Sequence, residues 1–197
     1  MSALVVLILA GTALADDGNT QWPDDPWMRV EAGADVGLQS GGKAVFVAEP
    51  VRWQRGALAV GGLFSGHSHF WHTPGYEPDG LEYRGSDLGF LTAGTVGHVF
   101  RFAKRRVGVG LHAYTGVLLR VQHTEVVDKE HDLTLNQDFV KPFSETGMRM
   151  DFPVRLSRRV GLNLDATIPL VISSQPGLIQ NWLVSGPKLG LSVGVHL

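Results

Sequence analysis

The sequence predicts an all-β fold: an eight-stranded antiparallel up-and-down transmembrane β-barrel. Three observations carry that prediction. Apolar residues recur with period two over eight segments, and the connections between segments alternate between short and long. Several segments also outrun the five or six residues of an ordinary globular strand and reach the roughly 9 to 11 that a tilted membrane strand needs.

In chain order, Val30, Ala32, Ala34, Val36 and Leu38 form the first apolar set, with Glu31, Gly33, Asp35 and Gly37 between them. The second segment, Ala44 to Arg55, is less regular: an apolar face of Val45, Val47, Val51 and Trp53 would aim Glu49 outward. Glu49-Pro50 reads as a β-bulge that re-aims the carboxylate, because proline has no N–H to give a ladder. Leu58, Val60, Gly62 and Phe64 make the third, and the alternating positions from Leu88 to Phe102 make the fourth. The fifth runs from Val107 to Val121 without a break, and the sixth from Met148 to Leu156. Val160 to Ile172 and Leu189 to Leu197 complete the set.

Short turns are expected around Gln54-Arg55-Gly56, Lys104-Arg105-Arg106 and Ser157-Arg158-Arg159. Long polar loops are expected over Trp71 to Ser86, His123 to Ser144 and Ser174 to Gly186, with a brief one at Gln39 to Lys43. Long loops at one end and tight turns at the other are the asymmetry of an outer-membrane barrel. Aromatics gather towards strand ends: Trp27, Trp53, Phe100 and Phe102 near the short turns, and Phe46, Phe70, Trp71 and Phe90 near the long loops. Two such rings around an aliphatic band suggest interfacial girdles.

Alternation alone does not say which face is wet. An apolar-ligand-binding soluble barrel in the periplasm would alternate too, with its polarity reversed. Charge position argues for the membrane reading, since Lys or Arg on a lipid face costs ~2 to 4 kcal/mol at the midplane. In seven of the eight segments the proposed outer face carries no Asp, Glu, Lys or Arg. The inward set then holds Arg29, Arg101, Arg120, Arg149, Arg155 and Lys188 against Glu31, Asp35, Asp87, Asp151 and Asp165. Eight strands leave an interior that side chains fill, so the expectation is a salt-bridged lumen, with a narrow ion path as the functional alternative.

Composition removes other classes. The chain has 197 residues, 44% of them hydrophobic and 18% charged, so it is not disordered. Seventeen basic residues against nineteen acidic leave a charge of −2 and no attraction for nucleic acid. With no cysteine, neither a disulfide framework nor a thiolate metal site is available. Residues 1–15 read as a signal peptide: Leu4 to Leu14 is apolar, too short to span a bilayer as a helix, and Ala13-Leu14-Ala15 precedes Asp16-Asp17 as a cleavage site. Residues 16–26 are expected as a periplasmic segment and 27–197 as the barrel.

The end of the chain carries a resemblance. Lys188, Gly190, Val193 and Val195, ahead of the terminal Leu197, resemble the outer-membrane β-signal read by the barrel-assembly machinery, although family members usually end in Phe or Trp. With the export signal and eight segments, nearly the whole mature chain resembles the small eight-stranded outer-membrane proteins of the A and X types. That resemblance implies a monomer in the outer membrane of a Gram-negative cell, contacting lipid and lipopolysaccharide, with a structural or surface-interaction role. It implies no cofactor and no catalytic residue. One segment invites an enzymatic alternative. His67, Ser68 and His69 lie close together as in lipid A deacylases, but their order and the lack of a following Asn differ. His67 and His69, on one face of a strand, are also candidate metal ligands, without a third that the sequence names.

Overall fold

The computed structural model describes residues 28–37, 40–53, 56–73, 81–102, 106–128, 131–172 and 186–197. The expected signal peptide and the segment at 16–26 lie outside these residues, as does most of the connection from Ser174 to Gly186. The elements are β1 (Met28–Gly37), β2 (Ser40–Trp53), β3 (Gly56–Thr73), β4 (Leu81–Phe102), β5 (Val107–Asp128), β6 (Leu133–Arg155), β7 (Val160–Ile172) and β8 (Lys188–His196). Each pairs antiparallel with its neighbour, and β1 pairs with β8, so the sheet closes on itself. Met28 and Leu197 seal the seam by exchanging backbone hydrogen bonds of 3.3 and 2.9 Å. Closure leaves the membrane-spanning wall no unpaired strand edge, which hydrocarbon would not tolerate.

The barrel is inside out. Leu111, Leu164 and Val193 are 44%, 38% and 55% exposed on the outer wall, whereas Arg149 and Asp165 are 1% and 3% exposed within. That arrangement rules out the soluble-barrel reading, which needs the opposite polarity.

Strand two follows the expected bulge with one correction. Its register to β3 shifts between Ala48 and Val51. Before the shift Lys43, Val45, Val47 and Glu49 all point inward and are buried, and after it Val51 and Trp53 point outward. Val45 and Val47 therefore belong to the interior, not to the outer face where the apolar pattern put them. Valine is equally at home in a small apolar layer of the lumen, so its parity is uninformative. The extra residue at Glu49-Pro50 reverses the facing of everything downstream. Phe46, assigned by sequence to the long-loop girdle, sits mid-strand on the outer wall.

Three expected loops are mostly strand. β2 already begins at Ser40, within the brief connection expected at Gln39 to Lys43. β3 continues to Thr73 and β4 already begins at Leu81, within the segment read as a loop from Trp71 to Ser86. β5 and β6 stay paired out to Asp128 and Leu133, so most of His123 to Ser144 is ladder. At about 3.3 Å per residue, the 22 residues of β5 span roughly 70 Å, against about 30 Å for the nine of β8. The wall is thus uneven, and β3 to β6 rise above the rest as a protruding sheet.

Candidate functional site

Two regions hold the chemistry: the lumen and the protruding sheet. In the lumen, inward positions of all eight strands converge on a small cross-section, so charges far apart in sequence meet. Glu31 of β1 is the densest acceptor. Arg29 Nε lies 2.6 Å from its Oε1, while Asn163 Nδ2, Ser192 Oγ and Arg149 Nη2 approach Oε2 at 2.8, 3.2 and 3.4 Å. Arg149 is the hub, reaching Asp165 Oδ2 at 3.4 Å and Asp151 Oδ2 at 3.7 Å as well. Arg29 also pairs with Asp151, whose other oxygen meets His112 Nε2 at 3.1 Å. Lys43 joins Asp35, at 2.8 Å, to Asp165. Three cations and four carboxylates form one connected cluster that includes His112.

Glycine makes room for it. A Cβ on Gly190 would overlap Lys43 Nζ and Asp35 Oδ1, and one on Gly110 would overlap Asp151 Oδ1. Any side chain at either position would displace a charged group from its partner. Desolvating these ions is expensive, and only multiple, well-placed partners offset it.

Above and below this cluster the ion pairs are local. Towards the protruding end, Arg120 grips Asp87 with two hydrogen bonds, of 3.1 and 2.8 Å. Lys188 Nζ lies 3.1 Å from His67 Nδ1, and Tyr114 donates to Glu145 Oε1 at 2.8 Å. Asp35, Ser65, Glu145, Thr167 and Lys188 border a cavity of about 10 Å³, room for one water. Near the short turns Arg101 pairs with Glu49, and Arg52 Nε lies 3.6 Å from the same carboxylate. Arg155 donates to the carbonyls of Ser157 and Arg158, at 3.2 and 2.7 Å, and so clasps the β6–β7 turn.

Of the inward residues expected from sequence, Arg29, Glu31, Asp35, Arg149, Asp151 and Asp165 meet in the central cluster. Arg120, Arg101, Arg155 and Lys188 lie in the local groups. Sequence reasoning placed His112 on the polar face of its segment but missed Lys43 and Glu145. Lys43 and Glu145 lie at the borders of segments read as loops, and only parity continued past those borders would have found them. In the terminal segment, Lys188 and Gly190 face the lumen, Val193 and Val195 face outward, and Leu197 pairs with Met28.

The histidine segment is not a loop mouth. His67 lies within β3, only 6% exposed, with Lys188 beside its Nδ1. Ser68, the next residue, takes the opposite face of the strand. The two cannot form a nucleophile–base pair reachable from lipid, and an ammonium beside His67 repels a metal cation. Among the described residues no cluster of three or more His, Asp or Glu side chains is arranged to hold a metal.

In the protruding sheet β5 and β6 form a ribbon capped by Asp128. One carboxylate oxygen accepts from the His131 backbone N–H at 3.2 Å, and the other lies 2.8 Å from His131 Nδ1. Asp132 adopts φ 51°, the left-handed region that Asp tolerates. His123 and Asp138 face each other across the ribbon at 2.5 Å. On its other side, β6 meets β7 only from Glu145 onward, so its edge from Leu133 to Phe143 pairs with no described strand. Leu133, Leu135 and Val140 are exposed along it.

No known family matches this chain, and no curated protein matches it. Solved structures do. A major outer membrane protein from Thermus thermophilus is similar over 86% of this chain and 98% of its own, with 16% identity and a TM-score of 0.55. Ail, the attachment invasion locus protein of Yersinia pestis, is similar over 88% of this chain and 100% of its own, at 12% identity and a TM-score of 0.49. The first likeness shows the fold: a small eight-stranded barrel of the outer-membrane type.

Proposed function

We propose that this protein is a monomeric outer-membrane barrel that presents the upper edge of β6, which pairs with no described strand, to an extended segment of a surface partner. The reading has it exported by the segment ahead of Asp16 and inserted by the barrel-assembly machinery through its last strand. The lumen then serves as a structural polar core. The observation that carries the proposal is the edge from Leu133 to Pro142, which pairs with no described strand and carries exposed leucine and valine. An unpaired edge offers a row of backbone donors and acceptors to an incoming strand, and its alternate side chains supply specificity. Natural proteins usually blunt such edges with charge or proline. Here Lys141 and Pro142 do so at the base, whereas Leu133 to Val140 carries only one charge, Asp138.

The test is panning of the refolded protein, held in nanodiscs, against a phage-displayed dodecapeptide library. Enrichment of β-prone peptides is expected, together with its loss in a Leu135→Lys, Val140→Lys double variant that keeps heat-modifiable gel migration. No enrichment, or equal enrichment by the variant, would overturn the edge reading.

A further inference from the structure

Small residues meet on the outer wall at Ala34, Gly42 and Gly66, but a longer row of them crosses β3 to β6. Over most of the wall, outward positions hold Leu, Ile, Met, Val or Phe. Along a single line of cross-strand neighbours, Phe46 of β2 is followed by Gly62 of β3, Gly94 of β4, Thr115 of β5 and Thr146 of β6, each directly paired with the next. Two glycines and two threonines in register lower the wall, to the backbone itself at Gly62 and Gly94. The result is an outward-facing groove of about 860 Å³ across β3 to β6. Val60 and Val96 rise along one side and Phe64 along the other.

Three features say what it would hold. Its lining is almost wholly apolar, and the two outward hydroxyls in it partner each other, Thr115 Oγ1 to Thr146 Oγ1 at 3.0 Å, which reduces the polar demand on an occupant. Its deep end is stopped by Phe46. Its other end, at Thr146, opens two residues from Ser144, where the outward face of β6 turns polar towards the protruding side. On β4 the line passes four residues from Phe90 and eight from Phe102, so it lies in the half of the wall facing the protruding sheet. A linear hydrocarbon chain entering from that side, with its polar end at the interface, fits both the shape and the polarity gradient.

We infer that this row of small residues seats one acyl chain of an outer-leaflet lipid, lipid A in the membrane proposed above. The inference rests on that membrane reading. Where outward positions hold Leu, Ile, Met, Val or Phe, the wall meets hydrocarbon as a rough aliphatic surface that fluid chains skim. Along this row a chain is in contact on three sides, and each close carbon–carbon contact adds a small dispersion gain. A groove that nothing filled would forfeit those contacts on all its lining atoms.

Gly94 supplies a clean test. A Cβ built there meets nothing within 4 Å, so a bulky residue fills the groove without disturbing the barrel. The full-length mature protein is inserted into nanodiscs of dimyristoylphosphatidylcholine containing lipid A, released, and weighed by native mass spectrometry. The wild type is expected to carry one lipid A. In Gly94→Phe the bound fraction should fall about tenfold, the change that a little over 1 kcal/mol of lost binding produces, with heat-modifiable migration unchanged. A wild type that inserts but emerges bare, or carries phosphatidylcholine instead, overturns the groove while leaving the membrane reading intact. So does equal lipid A on Gly94→Phe, or a species of twice the chain mass. Failure of the wild type to insert removes both.

Discussion

β5 and β6 pass through two surroundings, and their side chains register the change while their backbones do not. From Gly108 to Arg120, β5 alternates between an exposed or half-exposed outer face and an inner face that is mostly buried; from Gln122 to Asp128 no residue is buried. β6 behaves likewise, alternating from Phe143 to Arg155 and presenting no buried residue from Leu133 to Pro142. The ladder between the two strands nevertheless continues from Leu111–Met150 to Asp128–Leu133. Strand formation and alternation are therefore separate consequences of sequence. The ladder needs only extended backbones in register, whereas alternation needs two faces that meet different media.

The comparison can be pressed by substituting on either side of it. The largest effect is expected in the lumen. Arg149→Met removes the cation that Glu31, Asp151 and Asp165 share, leaving buried carboxylates undercompensated. Urea unfolding in lipid vesicles should show a loss of about 3 to 5 kcal/mol. A loss under about 1 kcal/mol, the range of solvent-exposed pairs, would mean that water already solvates the cluster.

On the lipid wall, Leu111→Arg should cost about 2 to 4 kcal/mol by the same measurement. An unchanged midpoint there would contradict the inside-out assignment. In the protruding sheet Asp138→Ala breaks an exposed pair with His123, and about 0.5 kcal/mol is expected, as for surface ion pairs generally. Leu135→Arg, the same leucine-to-arginine change as at position 111 but on the exposed ribbon, should stay within about 0.5 kcal/mol of wild type. If the two leucine substitutions cost the same, the boundary between hydrocarbon and water does not fall between these positions.

The same distinction explains what sequence reading found and missed. Where lipid lies on one side and packed charge on the other, parity is sharp, and the inward positions of Arg29, Glu31, Arg149, Asp151 and Asp165 were legible residue by residue. Above the membrane both faces are wet, so the pattern fades while the strand persists, and His123 to Ser144 reads as a loop. Lys43 and Glu145, both buried in the lumen, were lost because they border segments that read as loops. Val45 and Val47 failed differently: a small apolar residue fits either face, and the bulge at Glu49-Pro50 inverted the parity counted back from Trp53. His67 and Ser68, read as one polar group in the sequence, stand apart because adjacency in a strand separates side chains onto opposite faces.

By itself the sequence determined the number of strands and their antiparallel winding, which follow from period-two patterning and turn placement along each segment, and the polarity of the wall, which follows from the charges kept off one face. Only the tertiary structure decided which charges meet. Arg29 finds Asp151 and Lys43 finds Asp165 across 122 residues of chain in each case, through the closure of β1 on β8 and the register of every ladder between. The row from Phe46 to Thr146 has the same origin. Its glycines and threonines are unremarked in their own strands and become a groove only when four independent registers place them side by side.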